Sequence, residues 1–108
     1  MKKRETTAKR ENKVYIPNQG AGHDFSKAER FGELVYVTYG MLNPFEIGFL
    51  NRKWEVALRN SKPTDYILIT SLPIACMIGS AVFARKHKRL NVLIYAKADV
   101  YLERLIYF

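Results

Sequence analysis

Apolar residues in this chain come in two rhythms that alternate along its length. Val14-Tyr15-Ile16, Leu34-Val35-Tyr36-Val37-Thr38, Tyr66-Ile67-Leu68-Ile69-Thr70 and Leu90-Asn91-Val92-Leu93-Ile94-Tyr95 are short runs dense in β-branched and aromatic side chains. Runs of this kind, bounded by Gly, Pro and Asn, predict strands. The third is nearly continuous in apolar character, as a strand covered on both faces would be. Between the second and third runs, Ile47, Leu50, Trp54 and Leu58 recur at helical spacing, which predicts a helix with one apolar face reaching Asn60. Ile74 to Ala84 is apolar nearly all round and predicts a deeply packed helix.

Turn and cap residues punctuate these runs. Pro17 is expected to end the first strand, with Asn18 to Gly22 as a loop. Ser26-Lys27-Ala28-Glu29 has the capping-box pattern and predicts a short helix stopped by Gly32. Asn43-Pro44-Phe45-Glu46 predicts the next helix start, with Asn43 as cap, and Ser61-Lys62-Pro63 its end. Ser71 can cap the last helix, with Pro73 in its first turn. Ala96 to Asp99 is too short for a parallel crossover, so Val100 to Tyr107 should pair antiparallel with the strand before it.

The resulting order is β-α-β-α-β-α-β-β. Alternation of this kind argues for an α/β fold with helices on the faces of a parallel sheet. We expect a small doubly wound, Rossmann-like or flavodoxin-like sheet of about five strands, mostly parallel, with the last strand antiparallel. A strand order of 2-1-3-4-5 is preferred, with 3-2-1-4-5 as the alternative. Residues 1–13 are polar and carry six cations, so they read as a basic, flexible arm ahead of one domain spanning 14–108.

Composition narrows the class. The chain has 108 residues, of which 48% are hydrophobic and 13% aromatic, enough for one packed core. Cys76 is the single cysteine, so no intramolecular disulfide forms, and its apolar setting reads as a small core hydrophobe. No Cys/His cluster has metal-ligand spacing, and neither metal nor cofactor is expected. No apolar run approaches the length that spans a bilayer, and no secretory signal is visible, so a cytoplasmic location is expected.

In open α/β sheets ligands bind beyond the carboxyl ends of the strands. That rule selects Gly20, Gly22, His23 and Asp24 after the first strand, Thr38 and Asn43 after the second, and Ser71 after the third. Each loop precedes a helix whose first amides favour an anion, so a nucleotide or other phosphorylated small molecule is the expected ligand. Gly20-Ala21-Gly22 opens like a dinucleotide fingerprint, but Phe25 stands where the third glycine would be, and no Walker pattern is present. The glycines can equally serve only to turn the chain, and Asp24 only to cap a helix. His23 and Asp24 are the polar pair to mutate first. No constellation has catalytic spacing, so binding is preferred to catalysis.

The formal net charge of +8 raises a second possibility. Lys2, Lys3, Arg4, Lys9 and Arg10 lie in the arm, Arg59 and Lys62 end one helix, and Arg85, Lys86, Lys88 and Arg89 end another. A doubly wound sheet puts all of these at the edge opposite the three loops, where they can bind DNA or RNA phosphates. Cations at helix C-termini also complement the helix dipole with no partner at all. Tyr101, Tyr107 and Phe108 can add stacking, or simply pack the edge strand. A homodimer through the apolar edge near the fifth strand is a further possibility.

Several short motifs resemble a group of small uncharacterised α/β proteins encoded by bacteriophages and related mobile elements. They are Gly22-His23-Asp24-Phe25-Ser26, Phe31-Gly32-Glu33, Thr38-Tyr39-Gly40 with Asn43 and Phe45, Asp65-Tyr66-Ile67-Leu68, and Phe83-Ala84-Arg85-Lys86-His87 with Leu90-Asn91. The resemblance implies a small viral accessory protein, present in the host cytoplasm, and carries no activity. Inhibition of a host factor and nucleotide processing remain open beside the two binding roles.

Overall fold

The structure, a computed structural model, describes residues 11–20, 24–70, 72–98 and 100–108. The strands are β1 (Lys13–Gln19), β2 (Glu33–Tyr39), β3 (Tyr66–Ile69), β4 (Arg89–Lys97) and β5 (Val100–Tyr107). A 3-10 helix (Ser26–Phe31) follows β1, α1 (Ile47–Ala57) follows β2, and α2 (Pro73–His87) follows β3. The strands form one mixed sheet in the order β2-β1-β3-β4-β5. β1 pairs in parallel with both β2 and β3, and β3 with β4; β5 returns antiparallel to β4. Ala98, at φ 51°, makes the tight return possible.

Alternating side chains give the sheet two cores. Tyr15, Val37, Ile67, Leu90 and Val92 face α1 and α2 and pack with Trp54, Leu58, Val82 and Phe83. Val14, Ile16, Leu68, Leu93 and Tyr101 face the other way, where Ala28 of the 3-10 helix and the rings of Phe25, Phe31 and Tyr36 cover them. Ile67 and Leu68 are both fully buried on opposite faces, which is why β3 reads as continuously apolar.

Local expectations are corrected at several points. β1 does not stop at Pro17 but runs to Gln19. Pro17 has no N–H to give, so the β3 ladder ends at Tyr15↔Ile67, while the β2 ladder resumes past it at Asn18↔Thr38. Lys13, placed in the arm from sequence, opens β1, its amide held by the Asp65 carboxylate.

The segment after β1 is a 3-10 helix, and Ser26 does not cap it; Asp24 Oδ1 instead accepts the Ser26 amide at 2.9 Å. Gly32 ends it as expected, because a Cβ there would fall 2.5 Å from the Asn12 carbonyl oxygen. Asn43 closes a turn with the Phe45 amide, and α1 begins later, at Ile47, without a side-chain cap. It ends at Ala57, short of the expected Asn60, with a turn continuing to that residue. Leu72 occupies the α2 cap position, and Ser71 lies outside the described residues. α2 is buried on one face only, through Ala75, Cys76, Gly79, Val82 and Phe83, while Met77 is 65% exposed. It also runs on to His87, with Lys88 in the left-handed region, so Arg89 belongs to β4. No helix among the described residues is long and apolar enough to cross a membrane.

Candidate functional site

The parallel ladders separate two rims. At the carboxyl ends of β1 and β2, Asn18 and Thr38 stand side by side in register. The Thr38 hydroxyl lies 2.7 Å from the Pro17 carbonyl and 2.8 Å from Asn18 Oδ1, and Asn18 Nδ2 donates to the Gly40 carbonyl at 2.7 Å. Both side chains are buried, so these bonds replace water for groups that would otherwise be orphaned. The Gly40 amide donates to Gln19 O, which draws the loops after β1 and β2 together. Gly20 is adjacent: a Cβ there would sit 3.6 Å from Asn18 Nδ2.

Aromatic rings line the same rim. Phe25, Tyr36 and Tyr39 follow one another with centroid separations of 6.4 and 6.2 Å. Tyr39 is 68% exposed, so one end of this row faces solvent. The Tyr36 hydroxyl is pushed above the usual tyrosine value by burial first, then by the negative charges of Asp24 and Glu29. Asp24 is itself held below the usual carboxylate value, chiefly by the Ser26 amide. Its carboxylate thus orders the turn beside the rings.

At the end of β3, Thr70 ties the strand to α2. Its amide and hydroxyl lie 3.3 and 3.7 Å from Cys76 Sγ, and its hydroxyl also accepts the Leu72 amide. The first turn of α2 is therefore anchored at this rim, with its leading amides free of intrahelical acceptors.

Of the residues selected from sequence, the structure brings Gly20 and Thr38 together, with Asp24 within electrostatic reach of the row through Tyr36. Asn43 is engaged with its own turn. Gly22, His23 and Ser71 lie outside the described residues. Sequence reasoning passed over Asn18, Tyr36 and Tyr39. Asn18 follows a proline and so read as loop. Tyr36 reads as strand filler and Tyr39 as part of the loop after the second strand, although β2 runs on to Tyr39 and so presents that ring at its end.

The opposite rim gathers the cations. Lys86 Nζ donates to the Leu58 and Arg59 carbonyls at 2.7 and 2.6 Å, closing the end of α1. Arg85 pairs with Glu55 at 3.4 Å on an exposed surface. The Arg89 guanidinium donates twice to Asn91 Oδ1 and lies 5.2 Å from the centre of the Tyr107 ring. Lys62 Nζ reaches the Glu11 carbonyl. Lys88 is exposed beside them. Lys2, Lys3, Arg4, Lys9 and Arg10 lie outside the described residues.

Beneath this rim Asp65, only 1% exposed, receives the Lys13 and Lys62 amides at 2.9 and 2.8 Å. Asn91 Nδ2 donates to the Pro63 and Asp65 carbonyls. Much of the charge here completes the fold.

A family model described as phage Pam3 gp32-like protein matches residues 12–106. The chain belongs to that family. The likeness to small proteins of bacterial viruses, read from short motifs, thus extends over both rims. In this Pam3 gp32-like chain the match runs from before β1 to Ile106, covering every strand except the last residue of β5. No curated protein and no solved structure matches it.

Proposed function

We propose that this phage Pam3 gp32-like protein binds a small phosphorylated ligand of the nucleotide class above the carboxyl ends of β1, β2 and β3. One observation carries the reading. In the β2-β1-β3 order the connections leaving the neighbouring strands β1 and β3 run to opposite faces of the sheet, the 3-10 helix on one and α2 on the other, and the β1–β3 ladder ends early at Tyr15↔Ile67. A crevice at such a reversal is where open α/β sheets take their ligands. In this reading the sheet is a doubly wound, Rossmann-like or flavodoxin-like one, with the 3-10 helix standing where the first crossover helix would be.

The residues divide the work by chemistry. The first amides of α2 and the backbone around Gly20 and Gly22 suit an anionic group, as does Ser71. Asn18 and Thr38 hold the β1 and β2 loops in place. Tyr39 offers an exposed ring for stacking a base. Asp24, an ionised acceptor, suits a ribose hydroxyl and not a phosphate. His23 and Asn43 supply further polar contacts. The role is binding, without turnover.

Thermal unfolding against a nucleotide panel and inorganic phosphate tests the reading. A ligand present at a hundred times its dissociation constant adds about 2.7 kcal/mol of stability. The melting temperature should rise with at least one nucleotide, and Tyr39→Ala and His23→Ala should each shrink the rise. No rise with any member of the panel rejects the proposal.

A second reading is favoured by the gathering of Arg59, Lys62, Arg85, Lys86, Lys88 and Arg89 at the other rim. It makes the protein a nucleic-acid accessory factor. Binding to DNA or RNA should then fall steeply with salt, and deleting residues 1–12 should lower both affinity and salt slope. A truncated chain that binds as tightly as the whole removes the arm from the reading.

A further inference from the structure

β5 is the outer strand of the sheet, and its outer side carries an organised set of unpaired groups. The Phe108 amide donates inward to Lys88 O at 3.2 Å. Since backbone groups alternate in direction along a strand, Glu103, Leu105 and Tyr107 point theirs away from β4. The Glu103 carbonyl accepts its neighbour's side chain, Arg104 Nη1, at 2.8 Å, in keeping with that alternation. The side chains there are apolar and open: Leu102 is 40% exposed, Leu105 45%, Ile106 44%, Tyr107 67% and Phe108 73%. A long apolar edge of this kind is a template for another strand.

We propose that the occupant is a second copy of this chain, paired antiparallel through β5 about a two-fold axis at Leu105. A two-fold normal to the sheet keeps each face on its own side, so residues of like parity must oppose one another. Centring the axis on Glu103 sets Glu103 against itself, and centring it on Arg104 sets Arg104 against itself. Like charges directly opposite are destabilising. Centring on Leu105 avoids both. Leu105 then meets Leu105 of the second copy, Leu102 meets Phe108, and Arg104 lies across from Ile106.

Charge complementarity selects the same register. Glu103 falls opposite Tyr107 of the second copy, and the Arg89 guanidinium lies over that ring, 5.2 Å from its centre. Glu103, Tyr107 and Arg89 share one face of the sheet, because Arg89 opposes Tyr107 in the β4–β5 ladder and Glu103 is of the same parity. The second copy thus brings a cation toward each Glu103, twice by symmetry. The three outward residues pair as Leu105 with Leu105 and Glu103 with Tyr107 on either side, which satisfies all their backbone groups. The product is one continuous ten-stranded sheet.

Analytical ultracentrifugation of the full chain over a concentration series tests this. The wild type should sediment at twice the chain mass of 12.5 kDa. Leu105→Pro removes an outward N–H and leaves the β4 ladder intact, so it should sediment as a monomer with an unchanged far-UV circular dichroism spectrum. If that variant fails to fold, Leu105→Lys serves the same purpose. Glu103→Arg should raise the dimer dissociation constant about tenfold, from two symmetric charge pairs, and less so at high salt. A wild type that stays monomeric at every concentration overturns the proposal, and so does a Leu105 variant that remains dimeric.

Discussion

Gly79 of α2 lies flat against the indole of Trp54 in α1: a Cβ on Gly79 would fall 2.4 Å from both Cε2 and Cζ2 of the ring. Trp54 is fully buried, so the ring has nowhere to retreat. This contact sets how closely the two helices approach over the sheet.

Gly79→Ala should therefore destabilise the protein by about 1–3 kcal/mol, the usual penalty for overpacking, despite alanine's better helix propensity. Gly48 in α1 has open space at the same position and is the natural control. Gly48→Ala should be neutral or stabilise by up to about 1 kcal/mol. Urea unfolding of the two variants beside the wild type measures the contrast, and equal effects would refute it.

Asp65 holds the amino ends of β1 and β3 by accepting two backbone amides, from Lys13 and Lys62. Asp65→Asn puts an amide donor against one of those N–H groups. A loss of about 2–3 kcal/mol is expected, on the scale of hydrogen bonds to a charged, buried acceptor. Chemical denaturation reads it, and loss of amide exchange protection should be greatest at Lys13.

His87 links the ends of the two α helices. The Ser61 hydroxyl donates to Leu58 O at 2.7 Å, so at the 2.8 Å contact with His87 the ring nitrogen Nε2 is the donor. Nδ1 is then the unprotonated nitrogen of a neutral ring. Burial first, then Lys86 and Arg89, hold the imidazole below its ordinary value of 6.5, against an opposing pull from Asp65. Because the folded state resists protonation, the unfolded chain takes up the proton first as pH falls. Stability from this group is complete above pH 6.5 and declines as pH drops below it. His87→Gln keeps the donor and should flatten that decline in melting temperature between neutral and mildly acid pH.

Tyr15 and Tyr66 give the opposite dependence. Burial pushes both hydroxyls up to about 12, helped at Tyr15 by Asp65 and at Tyr66 by its 2.6 Å bond to Glu103. The unfolded chain ionises near 10, so stability is complete below that value and falls as pH rises toward 12. Spectrophotometric titration should show tyrosines whose ionisation coincides with alkaline unfolding. Tyr66→Phe should remove one of them.

Much of this molecule was legible from its residues. The four apolar runs, the short return before Val100 and the helical spacing of Ile47, Leu50, Trp54 and Leu58 predict the element order, although β4 runs on to Lys97, past the expected end at Tyr95, and crossover rules reduced the sheet to two candidate orders, of which the preferred one is found. Caps were less legible. Ser26 and Asn43 each sit near a helix start, yet the structure uses Asp24 for one turn and gives Asn43 a turn of its own. Short polar side chains have several backbone amides within reach, and local sequence does not rank them.

What the amino-acid order determined was direction and periodicity: which segments extend, which coil, and which ends of the strands face the same way. These are properties of neighbouring residues. What only the tertiary structure decided was which distant groups satisfy one another, such as Asp65 with Lys13, Lys86 with the end of α1, and Asn18 with Thr38 and Gly40. Those pairings turn apparent surface charges and candidate ligand contacts into structural bonds. They arise because burial leaves each polar group with only the partners that the packed strands bring within about 3 Å.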